Sequence, residues 1–166
     1  MSREVNYVKM GDHRFHGAYG HLLVTKFNAY VNREPFHEYP PSDRCLTSYN
    51  IRHLDSVEKL RDALFIYSYE GQKFANKELE ENKRFYNVIF KTGILVGAGA
   101  IFGAFADFSP GLLAISAVIS LISLFGIINS ESLHNDAVKE YKKIADQVNA
   151  VYLRWKEKAK PNEETV

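Results

Sequence analysis

The sequence predicts a mainly α-helical fold: a two-span transmembrane helical hairpin with cytoplasmic helical extensions pairing antiparallel, plus a small irregular N-terminal segment. Three observations predict it. Between Gly93 and Ile128 the only formal charge is Asp107. The turn "ADFSPG" divides that apolar stretch in two. On either side of it, apolar residues recur at alternating three- and four-residue steps.

The bulk properties set the frame. The 166 residues give room for one ordinary domain or a small domain with an accessory segment. The 21 basic and 20 acidic residues leave a net charge of +1, which exerts no global pull on nucleic acid, so none is expected as a partner. The single Cys45 has no partner for a disulfide or a zinc site and suits a cytosolic environment. The first twenty residues carry charges and glycines where a signal peptide needs an unbroken apolar core, so no cleaved export signal is expected. A mean hydropathy of −0.26 is that of a soluble protein, yet the apolar residues concentrate between Val88 and Ile128.

Residues 1–53 form the N-terminal cytoplasmic segment, rich in aromatic residues and holding five of the six histidines. Within it "AYGHLLVTKFNAYV" suits a short helix or a strand, and "NREPFHEYPPSDR" reads as loop. We read the segment as a partly irregular cap or ligand-sensing piece. His13, His16 and His21 match no standard zinc spacing and lack a completing cysteine or carboxylate set, so they read as surface or packing side chains. Arg14, Lys26, Arg33 and Arg44 lack the glycine loop or helix-start context that makes a phosphate site. Neither metal nor cofactor is expected. With no GxSxG, HExxH or P-loop motif, and no base identifiable for Cys45, the chain does not read as an enzyme.

Residues 54–87 predict an amphipathic helix. Asp55 with Glu58 three residues on has the form of a capping box. Val57, Leu60, Leu64, Tyr67, Gly71 and Phe74 then form a seam that fades into "NKELEENKR".

Residues 88–128 predict the hairpin, with its turn at 107–111. Val88–Ala106 is 19 residues interrupted only by Lys91, and Pro110–Ile128 is 19 residues without charge. At 1.5 Å per residue each approaches the ~30 Å of a hydrocarbon layer. Pro110 and Gly111 break the helix between them. Lys77, Lys83, Arg84 and Lys91 precede the first span and Lys139, Lys142 and Lys143 follow the second, which places both termini in the cytoplasm of an integral membrane protein, in our reading of the bacterial inner membrane. The competing account, a buried hairpin in a soluble bundle, needs several wrapping helices, and the rest of the chain offers about two.

Inside the spans, Gly93, Gly97, Gly99 and Gly103 form overlapping pairs of small residues, and Ser116, Ser120 and Ser123 put three hydroxyls on one helix face. Small residues let helix backbones approach in a bilayer. Either the glycines pack on the serine face within one hairpin, or one of these faces joins copies into an oligomer around a lumen, since two helices alone cannot enclose a water path. Asp107 reads as a cap for turn amides or, in an oligomer, as an acidic ring at the mouth. Gly97, Gly99 and Gly103 have the spacing GxGxxxG with no strand before them, which is not a dinucleotide loop.

Residues 129–158 predict a second amphipathic helix, with Ala137, Tyr141, Ile144, Val148, Val151 and Trp155 as its seam. Because a hairpin returns the chain to the same side, the two extensions emerge adjacent and pair seam to seam. The tail 159–166, polar and containing Pro161, is expected to be disordered.

This order of parts resembles the SLATT family of two-transmembrane effectors: a helix from Asp55 to Arg84 entering a first span, the "DFSPG" turn, a second span, then a helix from Glu131 to Lys158. The resemblance is architectural, covers residues 55–158 and carries no functional residue across. Proteins of that family are associated with bacterial nucleotide signalling and phage defence, acting as pore-formers. The implied function is an oligomerising membrane effector that forms a pore or disrupts the membrane, with membrane lipid, further copies of itself and a cytoplasmic regulatory protein or nucleotide ligand as partners. The alternative is a non-conducting anchor or adaptor that recruits a partner through its cytoplasmic segments.

Overall fold

The structure, a computed structural model, describes residues 7–11, 14–36, 51–103 and 110–159. Among them are three helices and no strand: α1 (Ala18–Asn32), α2 (Val57–Gly103) and α3 (Pro110–Ala159). The segment that suited either a helix or a strand is therefore the helix α1. Its apolar residues explain the choice: Gly20, Leu23, Val24, Phe27 and Val31 are buried at steps of three and four, which a strand of period two would scatter over both faces. α1 ends with Arg33 in the left-handed region (φ 55°, ψ 38°). Arg33 N–H then donates to Tyr30 O and Glu34 N–H to Ala29 O, a Schellman closure that satisfies two terminal carbonyls.

α2 starts one residue later than the capping box implied. Ser56 supplies the cap, its Oγ accepting from Lys59 N–H at 3.2 Å, while Asp55 pairs with the Lys59 ammonium at 2.7 Å. No break separates the predicted extension from the predicted span, because nothing between Val57 and Gly103 is a proline. The same holds for α3, which runs unbroken from its first-turn Pro110.

The chain divides into two compact units, Met1–Gln72 with Val138–Val166, and Lys73–Ala137. The core of the first is built by three helices together. Leu23, Val24 and Phe27 of α1 meet Leu60 and Leu64 of α2 and Ile144, Val148 and Val151 of α3, with Ile51 and Leu54 completing the cluster. Ser68 Oγ donates to Tyr141 O and the Arg61 guanidinium lies over the Tyr152 ring, so α2 and α3 run antiparallel here. Seam residues Leu60, Leu64, Ile144 and Val148 are each fully buried.

The second unit begins earlier and ends later than the predicted hairpin, because residues 73–87 pair with residues 129–137. Phe74, placed on the seam by its three-residue step, is 66 % exposed, whereas Ala75 at the four-residue step from Gly71 is buried. Between residues 88 and 128 apolar side chains dominate the outside of this unit: Leu95, Leu121 and Phe125 are 72 %, 65 % and 73 % exposed. Among the described residues one helix, α3, is long and apolar enough to cross a membrane, with 17 % of its most apolar stretch buried within the chain. The first predicted span, Val88–Ala106, is described as far as Gly103 and carries Lys91; α2 does not reach the same length of apolar helix within those residues.

Candidate functional site

The unit Lys73–Ala137 is an antiparallel pair joined by a ladder of cross-helix contacts whose chemistry changes along its length. At one end it is polar: His134 Nε2 lies 2.6 Å from Asn76 Oδ1, and the Lys83 ammonium donates to Glu131 Oε1 at 2.6 Å. The Tyr86 ring then lies against Gly126, occupying the space a side chain there would need. Further on the ladder is built mainly of glycine and serine. A Cβ on Gly93 would fall 2.8 Å from Ser120 Oγ and 3.2 Å from Ile119 Cγ2, and one on Gly97 would fall 2.5 Å from Ser116 Oγ. This close approach lets Ser116 Oγ donate to Gly93 O at 2.7 Å, a bond from one helix to the backbone of the other. Ser123 and Ser130 return their hydroxyls to Ile119 O and Gly126 O on their own helix.

Of the residues singled out from the sequence, the structure thus brings Gly93, Gly97, Ser116 and Ser120 together inside one helix pair and buries Ser123 beside them. Gly99 it leaves on the outer side, with nothing within 4 Å of a Cβ placed there. Gly103 is the last helical residue described in α2. Asp107, in either role, and the tail 160–166 lie outside the described residues.

The Lys83 hydrogen bond, reinforced by the ammonium's charge, holds the Glu131 carboxyl below its ordinary value of 4.5. A carboxyl depressed on folding contributes stability above its unfolded pKa and loses that contribution as pH falls through the folded one. An NMR titration is therefore expected to place the Glu131 midpoint below that of an ordinary glutamate, and Lys83→Met to move it back up. An unchanged midpoint in Lys83→Met would show that the bond does not persist in solution.

Besides Ser68, the described residues of the first unit include two buried basic side chains, His16 and Lys26. His16, 3 % exposed, has Nδ1 3.1 Å from the Tyr67 hydroxyl and its ring edge-on to Tyr141 at 5.0 Å. Tyr141 donates to Phe15 O at 2.6 Å, and Gly20 and Gly71 leave the room that the Tyr67 and Tyr141 rings occupy. Burial first, then the neighbouring Tyr141, pushes the Tyr67 phenol above its ordinary value, so it serves at neutral pH as a hydrogen-bonding group and not as a base. Lys26, 1 % exposed, donates to Ile51 O at 2.9 Å, with the Tyr30 and Phe36 rings about 5.5 Å from its ammonium. It ties α1 to the segment before α2.

Reading His16 as a surface or packing side chain left its burial open, and the partners of neither group were anticipated. Tyr67 and Tyr141 stood on the predicted seams, and that was the available signal. For His16 and Lys26 there was none, since neither shares a motif with its partner. His21 lines a cleft of about 640 Å³ with Thr25, Asn28 and Glu34, where Tyr7 donates to Glu34 at 2.6 Å. A second cleft of about 520 Å³ is lined by Leu54, Ala63 and Ile66 together with Lys59, Asp62 and Glu70.

Comparison of the chain with protein-family models, with curated proteins and with solved structures finds no match.

Proposed function

We propose that the chain is an integral membrane anchor: residues 88–128 form a two-span hairpin, and the helical unit around α1 is the cytoplasmic part that meets a partner. The observation that carries this reading is the inversion of polarity in the second unit. Between residues 88 and 128 its outward side chains are mostly apolar and largely exposed, while the Ser116 and Ser123 hydroxyls are bonded to backbone carbonyls. A soluble monomer rarely exposes an apolar surface of this extent, and in lipid every polar group needs an internal partner. Charges bracket the apolar stretch, with Lys83 and Arg84 before it and Glu131 after it. Lys91, exposed one turn inside, has the reach to bring its ammonium to the headgroups.

The second reading, an oligomeric effector that breaks the membrane barrier, is the one the SLATT resemblance implies. It is favoured by the open outer side at Gly99, where another helix has room to approach. It meets one difficulty: the serine stripe that would line a lumen is spent inside the hairpin.

Both readings require membrane insertion, so alkaline carbonate extraction of expressing bacteria is the first test. The chain is expected to stay with the membrane, and release into the wash would overturn both readings. A voltage-sensitive dye then separates them. The anchor leaves the potential unchanged and keeps its membrane placement when residues 88–128 are replaced by an unrelated two-span segment; depolarisation on expression would overturn the anchor in favour of the pore.

A further inference from the structure

Charge is segregated where the second unit passes into its apolar stretch. Among the described residues, 82–103 and 110–130 hold three cations, Lys83, Arg84 and Lys91, and no carboxylate. Lys83 is neutralised by Glu131, which stands just outside that range, at 2.6 Å. Arg84 and Lys91 are exposed, and neither side chain forms an ion pair among the described residues. The nearest carboxylates on α2 lie further from the apolar stretch. Glu81 pairs with Lys77 at 3.6 Å, and Glu80, one turn before Arg84, forms no bridge to it. Two cations are therefore left without a protein counter-charge.

Both are on one face. At about 100° per residue, Arg84, Lys91 and Leu95 fall in one narrow sector of α2 with Asn87 at its edge, opposite Gly93 and Gly97, which meet α3. Lys91 is set in an apolar surface between Val88 and Leu95, 64 % and 72 % exposed. Arg84 and Lys91 are two turns apart, about 10.5 Å along the axis. Helical side chains lean toward the N-terminal end, which carries Lys91 back toward Asn87. An anion at the level of Asn87 is thus within the compass of a guanidinium, an amide N–H and an ammonium.

On the membrane reading this face looks onto lipid, where an uncompensated cation is costly. The chain supplies no anion at that level, whereas the headgroup layer supplies phosphate. A zwitterionic headgroup carries its own cation beside the phosphate, and an acidic one leaves its charge to be met by the protein. We propose that Arg84, Asn87 and Lys91 form a site for the phosphate of an acidic phospholipid on the outward face of α2. The site rests on the membrane reading and adds to it a selectivity for lipid charge. Arg84 offers paired N–H donors to the phosphate oxygens, Asn87 a third donor, and Lys91 a point charge from the apolar side.

The test reconstitutes the full chain in phosphatidylcholine vesicles carrying either spin-labelled phosphatidylglycerol or spin-labelled phosphatidylcholine. Electron spin resonance reads the fraction of label immobilised against the protein, and circular dichroism reads helix content. Wild type is expected to prefer phosphatidylglycerol at least about fivefold, the effect of one cation beside an anionic headgroup. Arg84→Gln with Lys91→Gln keeps polar side chains and removes the charge, and is expected to abolish the preference. Lys142→Gln with Lys156→Gln removes the same charge at least about 21 Å beyond Ile128 along α3 and is expected to leave the preference intact. An excess of soluble glycerol phosphate is expected to change nothing; if it displaces the label, the site takes free phosphate and the proposal is overturned. The proposal also falls if immobilised label shows no preference in wild type, or if the two folded double variants lose it alike. A folded chain that immobilises neither label is not in the bilayer, and that outcome sinks the membrane reading itself together with the site.

Discussion

Replacing Gly93 and Gly97 together by leucine is expected to push the two helices of the second unit apart. Each new side chain would meet the facing helix at once, Ser120 Oγ and Ile119 Cγ2 in one case and Ser116 Oγ in the other. Ser116 could rotate to make room, but only by giving up its bond to Gly93 O, and on the membrane reading proposed above a polar group stranded between the helices would have no water to turn to. Overpacking of this kind costs about 1–3 kcal/mol per site. Denaturant unfolding of the chain in mixed micelles should show it as a fall in midpoint. Gly99→Leu is the internal control, since a side chain there enters open space and should shift the midpoint by less than about 0.5 kcal/mol. If the double variant is as stable as the control, the close approach at Gly93 and Gly97 is not present in solution. The contrast also sharpens the functional question. A change of activity confined to Gly99→Leu would point to contact between copies, whereas one confined to Gly93 and Gly97 would point to the hairpin itself.

Ile144→Ala is expected to be among the most damaging single truncations in the first unit. Ile144 is fully buried where all three helices meet, among Leu60, Leu64 and Val148. Removing three carbons from such a place costs about 2–5 kcal/mol, because neighbours anchored on rigid helices cannot close the gap. Against a typical domain stability of about 5–15 kcal/mol, that is a large share. Chemical denaturation followed through Trp155, which packs on the same core, would report it. Phe74→Ala removes a larger side chain but one that is 66 % exposed, so it should cost less than about 0.5 kcal/mol. Equal losses from the two would mean that the seam read from spacing describes the core better than the structure does.

That comparison shows where sequence patterning holds and where it stops. The two seams were legible because burial at helical steps leaves a period in the sequence, and Leu60, Leu64, Ile144 and Val148 all lie where the period puts them. Phase was harder. From Gly71 the steps to Phe74 and to Ala75 are equally helical, and the structure buries the alanine and exposes the phenylalanine. The meeting of glycines with serines was legible as residue types on two faces, but which glycines meet the partner helix depends on register, which places Gly93 and Gly97 inward and Gly99 outward. The His16 and Lys26 environments were not legible at all. Each joins residues far apart in the chain, 51 positions for His16 and Tyr67 and 25 for Lys26 and Ile51. No local period records such a pairing.

The length of the apolar ladder bears on the kind of bilayer this chain would inhabit. From Pro110 to Ile128, α3 rises about 28 Å. The hydrocarbon of an average bilayer is about 30 Å thick. A helix with surplus length can lean, but one this short has none to give away, because tilting lowers its reach further. The pair must stand close to upright or draw the surrounding lipid thinner, with the Lys83–Glu131 pair one turn beyond Ile128 fixing how far it can sink. Membranes of shorter acyl chains would accommodate it without deformation, so hydrophobic mismatch itself would sort the protein among lipid environments.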